Sequence, residues 1–163
     1  MNRKTWDEYF IDILHSAQER ATCDRGRSAA LIVKDNHILS TGYVGSPAGI
    51  DHCSDVGHEF IDSYEKNDKG EIELRQHCVR TVHAEQNAIS QAAKFGISVD
   101  GATLYCTMFP CYTCAKMLVN VGIQRIVAEY DYQSSEKSKT LFDTLGISCR
   151  ILHPNTNMEY PSE

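Results

Sequence analysis

Apolar and polar positions along the chain follow two periods in turn, and those periods predict its elements. Trp6, Phe10, Ile13, Leu14 and Ala17 recur on one face of a period of about 3.6 residues, so a helix is expected over residues 6–21. Thr5 and Glu8 have the spacing of a capping box that would start it. Residues 29–33 and 38–43 flank Asp35-Asn36 and predict a β-hairpin. Residues 45–79, with Pro47, several glycines and a polar run at 66–70, read as a long irregular insertion. A connection of that length inside one domain carries function or needs an internal brace. Residues 83–95 predict a helix ended by Gly96, and residues 111–121 another closed by Gly122. Strands are expected at 102–107 and 125–130, then a helix at 135–145 and a short strand at 148–152. The polar, proline-containing tail after 153 is expected to be loose. Strands alternating with helices place the chain in the α/β class, a mixed sheet covered on both faces within one domain over 1–163.

Charge and cysteine content narrow the function classes. The 163 residues carry 22 acidic and 16 basic side chains, a net charge of -6. Long nucleic acid is therefore not an expected partner, because its binding wants a basic stripe. A small phosphorylated ligand is compatible, since one or two arginines can hold a phosphate. The segment from Met1 to Asp7 lacks the apolar core of a signal peptide, and no apolar run reaches membrane-spanning length. A cytoplasmic location is expected. Disulfides are rare there, and the odd count of seven cysteines fits metal ligation or core packing better. Cys106 and Cys149, both on strands, are expected in the core.

The candidate chemistry lies in His83-Ala84-Glu85 and, one strand later, Pro110-Cys111-Tyr112-Thr113-Cys114. This H-x-E and P-C-x-x-C pair is the pattern of zinc nucleobase deaminases. Cys111 and Cys114 sit three apart at a helix start, so both thiolates share a face. A helix N-terminus favours the anionic thiolate. His83 would be the third ligand for Zn2+, leaving one coordination position open, as a catalytic zinc requires. Zinc brings the pKa of bound water down to about 7. Glu85 would be the catalytic acid and base, moving protons from water to the ring and the leaving amine. A redox cysteine pair, or a structural zinc with a fourth protein ligand, is the plain alternative. Asn87, four residues after His83, either supports the site or faces the adjacent strand.

Much of the chain, from about residue 6 to 152, resembles the deoxycytidylate (dCMP) deaminase family, including its competence-operon branch. The similarity is carried by Thr22 through Arg27, Ser40 through Pro47, His52-Cys53, His77 through Ile89, Gly101 through Tyr105 and Cys114 through Ile123. The resemblance implies a three-layer α/β/α cytidine-deaminase-like fold with about five strands. It also implies a homo-oligomer, commonly a hexamer, that converts dCMP to dUMP and ammonia. Activation by dCTP and inhibition by dTTP are frequent in that family. Many members carry asparagine against the deoxyribose where this chain has Val44, which cannot donate that hydrogen bond. Tyr132 matches a family position beside the substrate, while Arg25 and Arg27 are phosphate candidates ahead of Arg80 and Lys116.

In part of the family a second, structural Zn2+ braces the insertion, and Cys23 and Cys53 match two of its ligand positions. Cys78 and one histidine would complete four ligands. His77 is the adjacent candidate, with His52 and His58 nearby, although neighbours on a strand point opposite ways. Buried free cysteines and surface histidines are the alternative. Two rivals remain: a deaminase of another base, nucleoside or nucleotide, and a non-catalytic, zinc-stabilised nucleotide-binding module. The module would gain nothing from Glu85.

Overall fold

Helix α1 (Trp6–Gln18) starts at its capping box. Thr5 Oγ1 accepts from the Glu8 amide at 3.3 Å, and the Glu8 carboxylate accepts from the Thr5 amide at 2.7 Å. The computed structural model describes residues 3–66, 70–132 and 134–154. After α1 come β1 (Ala29–Lys34) and β2 (His37–Tyr43), joined through Asp35 and Asn36, whose φ angles are 50° and 61°. Two such left-handed residues match the twist of a tight hairpin, and Asp and Asn tolerate them. The chain continues through α2 (Cys53–Val56), β3 (Phe60–Lys66), β4 (Ile72–Cys78), α3 (Ala84–Lys94) and β5 (Thr103–Met108). It ends with α4 (Tyr112–Asn120), β6 (Arg125–Tyr130), α5 (Glu136–Thr144) and β7 (Ser148–His153). No helix among the described residues is long and apolar enough to cross a membrane.

The central sheet has five strands in the order β2-β1-β5-β6-β7. Strand β1 runs antiparallel to β2 and β5, whereas β5, β6 and β7 are parallel. Side chains alternate across it. Leu31, Val33, Tyr105 and Val127 pack against Phe10, Ile11 and Leu14 of α1. Ala30, Ile32, Leu104, Cys106, Ile126 and Ala128 face the opposite layer, with Ala88 of α3, Leu118 of α4 and Phe142 of α5. The result is the expected three-layer, mixed-sheet, cytidine-deaminase-like fold. Leu14 is fully buried, and truncating such a side chain to alanine typically costs about 2–5 kcal/mol.

Gly42 lets α3 lie flush on β2. A Cβ there would stand 2.1 Å from the Ala84 carbonyl oxygen and 2.4 Å from the Ala88 amide nitrogen, both backbone. The contact sets how close the start of α3 comes to the sheet.

Two expectations are corrected. The insertion at 45–79 is not irregular throughout: its described residues hold α2 and an antiparallel ribbon, β3 paired with β4 from Phe60↔Cys78 to Lys66↔Ile72, while most of the polar run, residues 67–69, lies outside the described residues. The ribbon buries neither face, leaving Ile61, Tyr64, Ile72 and Leu74 exposed. It therefore carries no clean alternation of apolar and polar positions. Cys149 is exposed rather than in the core, because β7 is the last strand of the sheet. The tail from 155 onward lies outside the described residues.

One buried carboxylate ties α1 to three strands. Asp7 accepts from Arg125 at 2.7 and 2.9 Å, from Arg150 at 2.9 Å and from the Tyr105 hydroxyl at 2.8 Å. Chiefly through the Arg125 bonds, and against the effect of burial, its pKa is lowered from 3.8 to about 2. A folded-state pKa below the unfolded one gives stability that is present above about pH 4 and lost as pH falls toward 2. The shift corresponds to about 2 kcal/mol. Asp7→Asn should lower stability by about 2 kcal/mol at pH 7 and weaken the acid-dependent loss between pH 4 and 2. Urea unfolding at pH 7 and pH 3 checks this, and an unchanged midpoint at pH 7 would contradict it.

Candidate metal and catalytic site

Two helix N-termini meet beyond the carboxyl end of β5. That strand ends at Met108, and Phe109-Pro110 leads into Cys111, the N-cap of α4. Cys114 follows on the first turn of α4, and its side chain is buried. His83 is the N-cap of α3, with its backbone N–H held by Gln86 Oε1 at 3.1 Å. This convergence puts His83 Nδ1 at 3.5 Å from Cys111 Sγ and 3.4 Å from Cys114 Sγ. The three ligand atoms all lie within 4.8 Å of one another. One imidazole and two sulfurs form a donor set that suits zinc, and three protein ligands are the number a catalytic zinc uses.

The electrostatics of the cluster follow from its crowding. The Cys111 thiol is held down at about 4, first by its hydrogen bond with Cys114 and then by His83, with burial opposing. The same shared bond and burial push Cys114 up. His83 is raised by its bond to Cys111. Glu85, only 7% exposed, is raised above the usual carboxylate range by burial, against the pull of His83. A carboxyl group raised in this way can hold and release protons nearer neutral pH.

His83, Glu85 and Cys111 line a cavity of about 790 Å³. Val44, Tyr132 and Arg25 line it as well, and the Arg25 guanidinium lies 4.7 Å over the Phe60 ring. Arg27 does not line it: its side chain is 57% exposed and 3.8 Å from Glu19. Glu19 is the C-cap of α1, and this exposed ion pair draws Arg27 to the surface. Arg80 approaches Glu59 at 3.8 Å and Lys116 lies 5.0 Å over Tyr112, and neither lines the cavity. Residues 73–78 of β4 form a further wall, with Arg75 and His77 among them. Arg75 was missed in the sequence because its segment read as irregular. The i, i+2 spacing of Glu73, Arg75 and His77 is the signal that could have found it.

A second cluster brings together Cys23, Cys53, His58 and Cys78, again with all ligand atoms within 4.8 Å of one another. Cys53 Sγ lies 3.7 Å from Cys78 Sγ, and Cys23 Sγ lies 3.8 Å from His58 Nδ1. The histidine is His58, not His77. Residues 77 and 78 are neighbours on β4, so their side chains leave opposite faces, and the ribbon register puts Phe60 opposite Cys78 with His58 close by. On its other nitrogen, His58 Nε2 contacts Asp24 Oδ1 at 3.2 Å. A carboxylate on the distal nitrogen is the outer-shell partner that metal-binding histidines commonly have. Burial pushes Cys53 up to about 12. Burial also acts on Cys78, but hydrogen bonds from the backbone at Glu59 and from His58 hold it down at about 7.

Comparison with known proteins agrees with this geometry. The family model for the cytidine and deoxycytidylate deaminase zinc-binding region matches residues 4–130. The chain is 38% identical over 148 residues to ComE operon protein 2 of Bacillus subtilis (strain 168), covering 91% of this chain and 71% of that protein. It is 38% identical over 128 residues to the deoxycytidylate deaminase of Mycobacterium phage D29, covering 78% of this chain and 96% of that one. The crystal structure of the dCMP deaminase from cyanophage S-TIM5, in complex with dCMP and dUMP, shares the fold. Its TM-score is 0.71 at 24% identity, over 93% of this chain and 99% of that chain. A family match spanning most of the sequence, on a fold that gathers His83, Cys111 and Cys114 around a buried Glu85, places the chain in the cytidine and deoxycytidylate deaminase family.

Proposed function

We propose that this protein hydrolyses dCMP to dUMP and ammonia. The observation that carries the proposal is the juxtaposition of a His-Cys-Cys donor set with the buried carboxyl of Glu85 in one cavity. His83, Cys111 and Cys114 would hold Zn2+, which when bound makes water acidic near neutral pH. Glu85 takes the proton of the attacking water and delivers it to ring N3 as oxygen bonds to C4. It then carries the proton of the new C4 hydroxyl to the departing amine, and the C4–N bond breaks to leave the uracil ring of dUMP and ammonia. Burial serves this role, because it raises the Glu85 carboxyl from its ordinary value and so brings its affinity for a proton closer to that of the groups it exchanges protons with.

The substrate class rests on the cavity wall. Arg25 and Arg75 both line the cavity in a chain of net charge -6, and arginine binds phosphate through paired hydrogen bonds. The curated relatives that act on deoxycytidylate support the monophosphate over a free base. Tyr132 offers a ring on which the nucleotide packs, and Val44 an apolar surface against the sugar. The second cluster is proposed as a structural Zn2+ site. Cys23, Cys53, His58 and Cys78 would supply the four protein ligands of such a site, and they bring the end of β4, a cavity wall, together with Cys23 and α2.

Ammonia release from dCMP, CMP, deoxycytidine and cytosine in parallel tests the activity. dCMP should be the preferred substrate, and equal turnover of cytosine would refute the phosphate assignment. Glu85→Gln should retain fold and zinc while losing about 10²–10⁴-fold in turnover, and wild-type-like turnover would exclude Glu85 as the proton carrier. Metal analysis of the purified protein should find two zinc ions per chain. Cys114→Ala should lose one of them together with activity, and His58→Ala should lose the other and lower the melting temperature. A zinc content unchanged by His58→Ala would remove the second site.

A further inference from the structure

Two side-chain hydrogen bonds among the described residues join β2 to the helix that carries Glu85. Ser40 Oγ donates to the Ala88 carbonyl at 2.9 Å, and Asn87 Nδ2 donates to the Tyr43 carbonyl at 2.8 Å. The second lies beside the site. Tyr43 is the last residue of β2, and the next residue, Val44, lines the catalytic cavity with His83 and Glu85. Backbone bonds fix the rest of this corner. The Val44 N–H donates to the Ser28 carbonyl at 2.9 Å, and the Val44 carbonyl accepts from the Thr22 amide at 3.1 Å. Gly45 and Val82 exchange bonds of 2.9 and 3.3 Å, and Val82 immediately precedes His83.

Residues 43–45 are thus held to the catalytic segment at two points, Val82 just before His83 and Asn87 one turn after it. The bond to Val82 is between backbones and survives any change of side chain. The bond from Asn87 needs an amide donor: alanine leaves the Tyr43 carbonyl without it, and aspartate sets a carboxylate against a carbonyl. Gly42 brings β2 and α3 into direct backbone contact one residue before Tyr43, and beyond that contact the bonds from Asn87 and Val82 are the ones that tie residues 43–45 to the catalytic segment, while Ser28 and Thr22 tie Val44 to the other side.

We infer that Asn87 is a positioning residue that sets the gap between the Glu85 helix and the Val44 wall, and thereby the fit of the ligand held between them. The identity of that ligand as a cytosine nucleotide rests on the function proposed above. The gap itself does not. The Asn87 amide is spent on the Tyr43 carbonyl and not on the donor set or Glu85, so its loss acts on binding rather than on proton transfer.

The test uses the zinc-loaded full chain with Asn87→Ala and the near-isosteric Asn87→Asp. With dCMP, KM should rise about tenfold while kcat stays within about twofold, the size of one lost hydrogen bond acting on binding alone. In a cycle with Val44→Ala, the two effects on KM should be markedly non-additive, as for residues acting through one contact. Hydrogen–deuterium exchange without ligand should be about tenfold faster at 43–46 and unchanged along 88–94. A parallel fall in kcat with KM unchanged, additive effects in the cycle, or unaltered exchange at 43–46 would each overturn the inference. If the wild type leaves dCMP untouched, the proposed substrate fails, and the exchange measurement alone decides the role of Asn87.

Discussion

The site depends on two helices starting at one point in space. His83 and Cys111 are both N-caps, so their side chains project from the ends of α3 and α4 and not from their flanks. That geometry lets residues distant in sequence bring one nitrogen and two sulfurs within 4.8 Å. It also sets the Cys111 sulfur against the N-terminal backbone of α4, where a hydrogen bond from the Cys114 backbone favours its anionic form. The constraint behind it is steric. The backbone of α3 reaches β2 only because Gly42 has no side chain, and a single methyl there would force the start of α3, with Glu85, off the sheet.

The outer layers hold this arrangement in place. On one face, Asp7 gathers Tyr105, Arg125 and Arg150, anchoring α1 across the parallel strands. The pair His15 and Glu129, 2.8 Å apart, adds a second polar tie between α1 and β6. On the other face, close-packed alanines at 84, 88 and 92 let α3 settle against the sheet, beside Leu118 and Phe142. Function is concentrated where this core ends. The Cys-His cluster beyond β4 connects the exposed ribbon to the core-side segment at Cys23, so the ribbon forms a cavity wall despite burying neither of its own faces. An isolated two-stranded ribbon is marginal in water, which gives the gathering of Cys23, Cys53, His58 and Cys78 at its base a physical purpose.

What was legible in the sequence was local. The Thr5/Glu8 box, the Asp35-Asn36 turn and the glycines after α3 and α4 each act through nearby backbone, and each marked its element within a few residues. His83, Cys111 and Cys114 were legible because their spacing relative to helix starts determines where their ligand atoms go. What escaped depends on tertiary register. His58 reaches the second cluster only because β3 pairs with β4 so that Phe60 faces Cys78. Arg75 becomes a wall residue only once that ribbon folds over the cavity. Cys149 carries an ordinary strand context and is exposed because β7 ends the sheet, a fact of strand order that no local pattern encodes.

The central claim is that water, activated beside Glu85, replaces the amino group at C4 of a cytosine nucleotide. It is tested most directly by incubating the zinc-loaded protein with dCMP in oxygen-18 water and weighing the product by mass spectrometry. The account predicts a deoxyuridine monophosphate carrying one solvent oxygen at ring C4, formed with one equivalent of ammonia. Product without solvent oxygen, or no product from a folded protein with its zinc in place, would contradict it.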